Sequence, residues 1–333
     1  MTEHQLPLKN TALVWSDRFL GHDTGHHVER PARAAVIREI IASDRCLAER
    51  PEVYVQSVST DLLQRVHDPR FLDALDRFSR SGGGWVDPDT WLGADSLDVA
   101  AVAAGAAVAA VEAVLDERAS RAFALGRPPG HHATRDQAMG FCLYNNIALA
   151  AQAALDEGME RVAIIDWDVH HGNGTQDIFY DRRDVLFCSV HEAGLYPGTG
   201  HTHELGNDRG EGFTLNVPLR AGQGDAAMLR VIDEIFTPAI RSYEPELMLI
   251  SAGFDAHLDD PLGDMRVTDG GFALLADRVC ALAEEVAEGR VVAVLEGGYD
   301  LDALARSVSA VIDVLDGQAP ERRSTAAHSS VQS

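Results

Sequence analysis

Residues 162–172 read VAIIDWDVHHG, from Val162 to Gly172. Four apolar residues run without a break into Asp166, and Asp168, His170 and His171 follow at once. An uninterrupted apolar strand is one buried on both faces, the mark of a parallel strand with helices on either side. In open α/β sheets, ligands bind beyond the carboxyl ends of the strands. This stretch places its acidic and imidazole side chains there.

The pattern recurs on both sides of it. Further apolar or β-branched runs are Thr11–Trp15, Val53–Val58, Arg121–Leu125, Val185–Val190, Phe213–Val217, Leu247–Ser251 and Val291–Leu295. Helical patterns lie between many of them, at Ala32–Ala42, Pro69–Phe78, Ser96–Glu117, Tyr144–Glu157, Asp225–Arg241, Gly270–Glu288 and Leu301–Leu315. Strands alternating with helices predict a mainly parallel sheet covered on both faces. The predicted domain spans residues 1–317. The polar stretch 318–333 lacks periodicity and reads as a disordered tail.

Bulk properties narrow the function. The formal charge is −24, with 52 Asp and Glu against 28 Lys and Arg, and Lys9 is the one lysine. Such a surface disfavours phosphate-led nucleic-acid binding and suits cationic substrates. Cys46, Cys142, Cys188 and Cys280 form no Cys-x-x-Cys pair, so neither a disulfide framework nor a thiolate zinc site is indicated. The apolar stretch Val99–Val114 is alanine-rich and reads as a buried helix rather than a membrane span. The opening MTEHQLPLKN has neither the basic start nor the apolar core of a signal peptide. These features predict a cytoplasmic protein.

Four motifs sit just after predicted strands: Gly130-His131-His132, Asp166 to Gly172, Ser251 to Asp255, and Glu296-Gly297-Gly298-Tyr299. At one end of one sheet they would converge. In an extended segment, alternate residues share a face, so Asp166, Asp168 and His170 can point together. Two oxygens, one of them from Asp255, and an imidazole nitrogen leave a divalent ion an open position, as a catalytic zinc site requires. The same donors suit Fe(II), Co(II) or Mn(II). One histidine of the 131–132 pair can act as base on water, with an Asp or Asn to orient it. The Tyr299 phenol can donate to a developing oxyanion.

Together these segments resemble the histone deacetylase and acetylpolyamine amidohydrolase superfamily, closest to its bacterial and class II-like members. His22 to Pro31, Asp87 to Trp91, Arg127 to His132, Gly140-Phe141-Cys142, Asp166 to Gly174, Tyr196 to Gly200, Ala252 to His257 and Glu296 to Tyr299 carry the likeness in the family's order. The resemblance implies a single arginase-like α/β domain with an eight-stranded parallel sheet. It also implies roles. Asp168, His170 and Asp255 match zinc ligands, and His131 and His132 the catalytic pair, with His132 the general base. Asp166 would orient His131, and Asn173 stands where some members place an aspartate behind the second histidine. Tyr299 matches the carbonyl-polarising tyrosine, Phe141 and Tyr196 the tunnel walls, and the Gly140 carbonyl the acceptor of the substrate amide N–H. Two structural potassium sites are implied, the inner one near Asp166, Asp168, His170, Ser189 and Val190.

The implied substrates are acylated lysine peptides, acetylpolyamines or small acylated amines, with no nucleic-acid or membrane partner. Leu262 occupies a rim position where one polyamine-selective type carries a glutamate, which favours peptides. An acyl-lysine binder without activity would lack a ligand, a catalytic histidine or the tyrosine, and all are present. A ureohydrolase of related fold would need two metals and further aspartates.

Overall fold

The computed structural model describes residues 11–44 and 47–320. The expected tail from residue 321 onward, Cys46 and Lys9 lie outside the described residues. In chain order, β1 (Thr11–Val14) leads to α1 (Pro31–Ser43), α2 (Thr60–Val66) and α3 (Pro69–Arg80). A short antiparallel hairpin, β2 (Gly84–Trp85) and β3 (Trp91–Leu92), precedes α4 (Ser96–Leu115). Then come β4 (Arg121–Ala124), α5 (Asn146–Asp156), β5 (Val162–Asp166), α6 (Asn173–Phe179) and β6 (Val185–Glu192). The rest is β7 (Thr214–Leu219), α7 (Asp225–Val231), α8 (Thr237–Tyr243), β8 (Leu247–Ala252), α9 (Asp269–Val286), β9 (Val291–Leu295) and α10 (Leu301–Leu315).

The main sheet has the order β1-β4-β9-β8-β5-β6-β7, and every pairing in it is parallel. In register, Asp166 at the end of β5 pairs with Ser189 of β6 and Ser251 of β8. All carboxyl ends therefore open on one edge. Alternation along β5 builds two cores. Val162 and Ile164 join the cluster under α4 and α5, whereas Ala163 and Ile165 join the one under α9 and α10. Helix α4 is long and apolar enough to cross a membrane, yet its most apolar stretch is 72% buried inside the protein, as a core helix should be.

Among the described residues the main sheet has seven strands, not the expected eight. Val53–Val58 forms no ladder. Val53, Val55 and Val58 pack on the core, while Tyr54, Gln56 and Ser57 are exposed. The segment has a strand's alternation because it lies across a helix. Val58 N donates to Ala101 O at 2.8 Å, and a Cβ on Gly105 would sit 1.8 Å from Gln56 O. Gly105 is thus what lets the chain cross α4. The single helix expected over 225–241 is three pieces, with a π-turn at Ile232–Phe236 ahead of Pro238 in the first turn of α8. A proline has no N–H to continue an α-helical ladder, and a wider turn absorbs the break.

Candidate active site

The strand β5 ends at Asp166, and the chain then bends while keeping its alternation. Trp167 and Val169 turn into the core at 0% and 1% exposure. Asp166, Asp168 and His170 take the other side. Asp168 N donates to Asp166 Oδ1 at 3.1 Å, and His170 N donates to Asp168 Oδ1 at 2.9 Å. Asp255, after β8, accepts from Val169 N at 2.9 Å, which ties the two loops together.

Asp168, His170 and Asp255 form a buried cluster whose donor atoms all lie within 4.8 Å of one another. His170 Nδ1 is 3.1 Å from both Asp168 Oδ1 and Asp255 Oδ2. Donors about 2.0–2.1 Å from a tetrahedral ion stand about 3.3–3.4 Å apart, so this spacing fits a small divalent ion. The chemistry fits as well. Two fully buried carboxylates have no Lys or Arg partner here among the described residues, and a buried like-charge pair demands a cation. Burial would lower the pKa of His170, but hydrogen bonds to Asp168 and Asp255 outweigh it and raise the value to about 10. A proton is thus drawn to the place an ion would take. Gly297 N donates to Asp168 Oδ2 at 2.9 Å, and a Cβ there would stand 2.1 Å from Asp255 Oδ2. That contact explains a glycine after β9.

The histidine pair sits beside this cluster, with ring centroids 4.1 Å apart. His131 Nδ1 donates to Asp166 Oδ2 at 2.9 Å, and its Nε2 is 3.7 Å from Asp168 Oδ1. Burial opposes its charge, but Asp168 and Asp166 outweigh burial and hold its pKa well above the ordinary value. His132 differs. Its Nδ1 meets Asn173 Oδ1 at 2.7 Å, at the start of α6. The Asn173 amide nitrogen reaches His132 O and Met139 Sδ, which fixes the oxygen toward the ring. His132 Nδ1 therefore carries the proton and Nε2 is left as an acceptor. Burial, with the charges of His131 and His170 behind it, holds His132 well below the ordinary range.

Aromatic side chains flank the cluster. The Tyr196 ring stands edge-on to His132 at 5.1 Å, and the Phe141 ring edge-on to Tyr299 at 5.7 Å. Gly140 has φ +56°, and a Cβ there would lie 2.4 Å from the His132 ring and 2.9 Å from that of Tyr196. Phe141 itself has φ +69°, a strained value for an aromatic residue, and Phe141 N is anchored by Thr90 Oγ1 at 2.9 Å. Cys142 Sγ donates to the Gly140 carbonyl at 3.3 Å, leaving that oxygen a second lone pair. The Tyr299 ring packs under the Arg33 guanidinium at 4.9 Å. Asp260 accepts from Tyr299 N at 2.6 Å and from Leu262 N at 3.0 Å, so one carboxylate fixes both the phenol and the rim. Burial and the charge of Asp255 push Asp260 up to about 7.

All twelve residues singled out from the sequence lie in this region or one contact from it. A supporting layer was missed. Glu296 Oε2 accepts from Gly130 N at 2.6 Å and His131 N at 3.1 Å, which sets the histidine turn. Arg33 donates to the carbonyls of Glu296 and Gly298 at 2.5 and 2.7 Å. Arg127 holds Glu29 through two bonds of 2.7 and 2.6 Å. Burial opposes the Glu29 charge, but Arg127 outweighs it and brings the carboxyl down to about 2. A glutamate at the end of an all-apolar strand was the one signal available for this layer.

Comparison with known proteins agrees with the geometry. Residues 27–315 match the model of the histone deacetylase domain. A probable deacetylase of Archaeoglobus fulgidus is 40% identical over 295 residues, which is 88% of this chain and 82% of that protein. A histone deacetylase-like amidohydrolase of Pseudomonas aeruginosa is 41% identical over 293 residues, covering 87% and 77%. The crystal structure of the HDA15 HD domain superposes with a TM-score of 0.88 at 37% identity, covering 94% of this chain and 90% of that one.

Proposed function

The chain belongs to the histone deacetylase family, and from that premise we propose that it is a zinc-dependent deacylase, removing acetyl or other acyl groups from lysine side chains or related amines. Family membership makes it a hydrolase of amide bonds acting on acylated amines or peptides. One observation carries the finer reading: the Asp168–His170–Asp255 cluster and the His131–His132 pair meet at one sheet edge.

Asp168, His170 and Asp255 would hold the ion. A divalent ion there supplies Lewis acidity, drawing charge from a carbonyl oxygen and making water more acidic. Zinc suits this mixed set, and Fe(II) or Co(II) fits the same donors. The potassium expectation belongs to the same proposal, supported by the burial of Asp166 and Ser189, which are register neighbours on β5 and β6.

The chain's own residues account for the rest. The Gly140 carbonyl accepts the substrate amide N–H, and Phe141 and Tyr196 line the acyl-amine stem. His132 Nε2, kept neutral, takes a proton from the attacking water. Tyr299 donates to the carbonyl oxygen as it gains charge. The C–N bond breaks, the proton is returned to the leaving amine, and the acyl group leaves as a carboxylate. His131, hydrogen-bonded to Asp166, stands beside the cluster where that negative charge builds.

Leu262 at the rim supports peptides over polyamines, since it offers a distal ammonium no charge. The test compares turnover of an acetyl-lysine peptide and an acetylated polyamine by the zinc-loaded protein. The peptide is expected to be the better substrate, and loss of both activities in His132→Ala is expected. Preference for the polyamine would reassign the substrate, and turnover of neither would overturn the reading.

A further inference from the structure

The carboxyl edge of the sheet holds the Asp168 cluster. At the opposite edge, beside the amino ends of β5 and β6, a cavity of about 1090 Å³ adjoins one of about 680 Å³. They share Arg65, Gln152, Arg182, Arg183 and Asp184, so they form one groove. We propose that this groove binds a phosphorylated small molecule bearing a planar ring, of nucleoside di- or triphosphate chemistry.

Charge is the first argument. Arg65, Arg135, Arg161, Arg182, Arg183 and Arg209 line the groove against Asp156, Glu160, Asp181 and Asp184. A local excess of positive charge is out of keeping with a chain of net charge −24. A surface of ordinary solvated ion pairs would match each arginine with a carboxylate. Arg65 pairs with Asp156 at 2.6 Å, and Arg161 with Glu160 at 3.5 Å. The exposed Arg135, Arg183 and Arg209 make no ion pair among the described residues. Arginine forks are suited to phosphate oxygens.

Rigidity is the second. Arg182 is held by both Asp184 oxygens at 2.9 and 2.8 Å, by Gln152 Oε1 at 2.9 Å, and by the Phe179 ring at 5.1 Å. Such a guanidinium is ordered before any ligand arrives, which lowers the entropic cost of binding.

Shape is the third. The smaller cavity is lined by polar and charged residues alone. The larger adds Leu155, Met159, Leu186, Phe213 and Tyr243, with the last two rings edge to face at 5.7 Å. An apolar, aromatic end joined to an arginine end fits a planar ring joined to several phosphates. At about 1090 Å³ the larger cavity is roomy enough for such a ligand. None of these residues touches the Asp168 cluster, because Arg161 and Asp184 stand at the starts of strands whose far ends lead to it.

Calorimetric titration of the full-length, metal-loaded protein tests this with ATP, tripolyphosphate and adenosine as probes. ATP and tripolyphosphate are both expected to bind, ATP more tightly, and both more weakly as salt rises. Arg183→Ala, at an exposed position without an ion pair, is expected to weaken ATP about tenfold, the loss of one charge-assisted donor group. Arg183→Glu is expected to abolish binding, while Arg80→Glu, a matched charge change elsewhere, leaves it intact. Absence of ATP binding, equal binding of adenosine and ATP, equal effects of Arg183→Glu and Arg80→Glu, or binding of a polyglutamate peptide in place of ATP would each overturn the proposal.

Discussion

His132 Nδ1 and Asn173 Oδ1 are 2.7 Å apart, so a neutral amide, not a carboxylate, stands behind this imidazole. Its neighbour His131 has the carboxylate of Asp166 in the equivalent place. Burial and the neighbouring imidazoles lower the pKa of His132, whereas Asp168 and Asp166 outweigh burial and raise that of His131. Asn173→Asp would add a negative charge at His132, which raises a pKa by about 1–3 units. A base acts only when unprotonated, so the acidic limb of the kcat/KM profile should move to higher pH. Measured pH profiles of the two proteins check this, and an unmoved limb would remove His132 from the role of base.

Tyr299 is pinned by Asp260 at its backbone and by Arg33 over its ring. Burial keeps its phenol protonated, with Asp255 and Asp168 adding to the effect, so it stays a donor. Tyr299→Phe removes that hydrogen bond and little else. Turnover should fall by about 10²–10³ with metal content unchanged, as for loss of one oxyanion donor. Single-turnover kinetics with elemental analysis provide the check.

Stability should weaken in acid for a reason outside the metal cluster. His67 Nδ1 donates to Thr134 O at 2.9 Å, and its Nε2 accepts from Asn145 N at 3.0 Å. A second proton would set one N–H against another. Burial lowers its pKa to about 4 from 6.5. The unfolded chain binds the proton first. This contribution is therefore complete above about pH 6.5 and lost as pH falls through about 4, on the order of 3 kcal/mol in all. His67→Gln keeps one donor and one acceptor without the titration. Urea unfolding across that range should show a slope shallower by about one proton, while His22, also lowered to about 4, keeps its own share.

Gly105 marks where Gln56 crosses α4, and a side chain there has 1.8 Å of room to a backbone oxygen. Gly105→Val should cost at least about 3 kcal/mol, the upper end for overpacked cores. Thermal melts would show it as a Tm lower by several degrees. An unchanged Tm would mean the segment does not cross there.

Much of this was legible in the sequence, for identifiable reasons. Val162–Asp166 and Val291–Leu295 are buried on both faces, so their composition alone marks them and their ends. Asp166, Asp168, His170, Asp255 and Tyr299 follow because they stand at or just after such strands, whereas Gly140, Phe141, Tyr196, Asn173 and Leu262 were reached through the family resemblance. Val53–Val58 misled because a segment lying on a helix alternates as a strand does. The helix of Asn173 was missed because Asn-Gly reads as a turn, while its place behind His132, implied by the resemblance, has its geometric counterpart in the 2.7 Å contact with His132 Nδ1. Arg33 stood outside every motif, and Glu29 and Arg127 stood inside motifs without an assigned role, because charges are ordinarily surface residues. Their burial is tolerable only through partners as far apart in sequence as Arg33 and Gly298.

The central claim is that Asp168, His170 and Asp255 hold the one ion on which amide hydrolysis depends. Its most direct test is the turnover of an acetyl-lysine peptide by protein stripped of metal, verified by elemental analysis, and then titrated with zinc. Activity should vanish on stripping and return fully at one equivalent. Undiminished turnover by the metal-free protein would contradict the account.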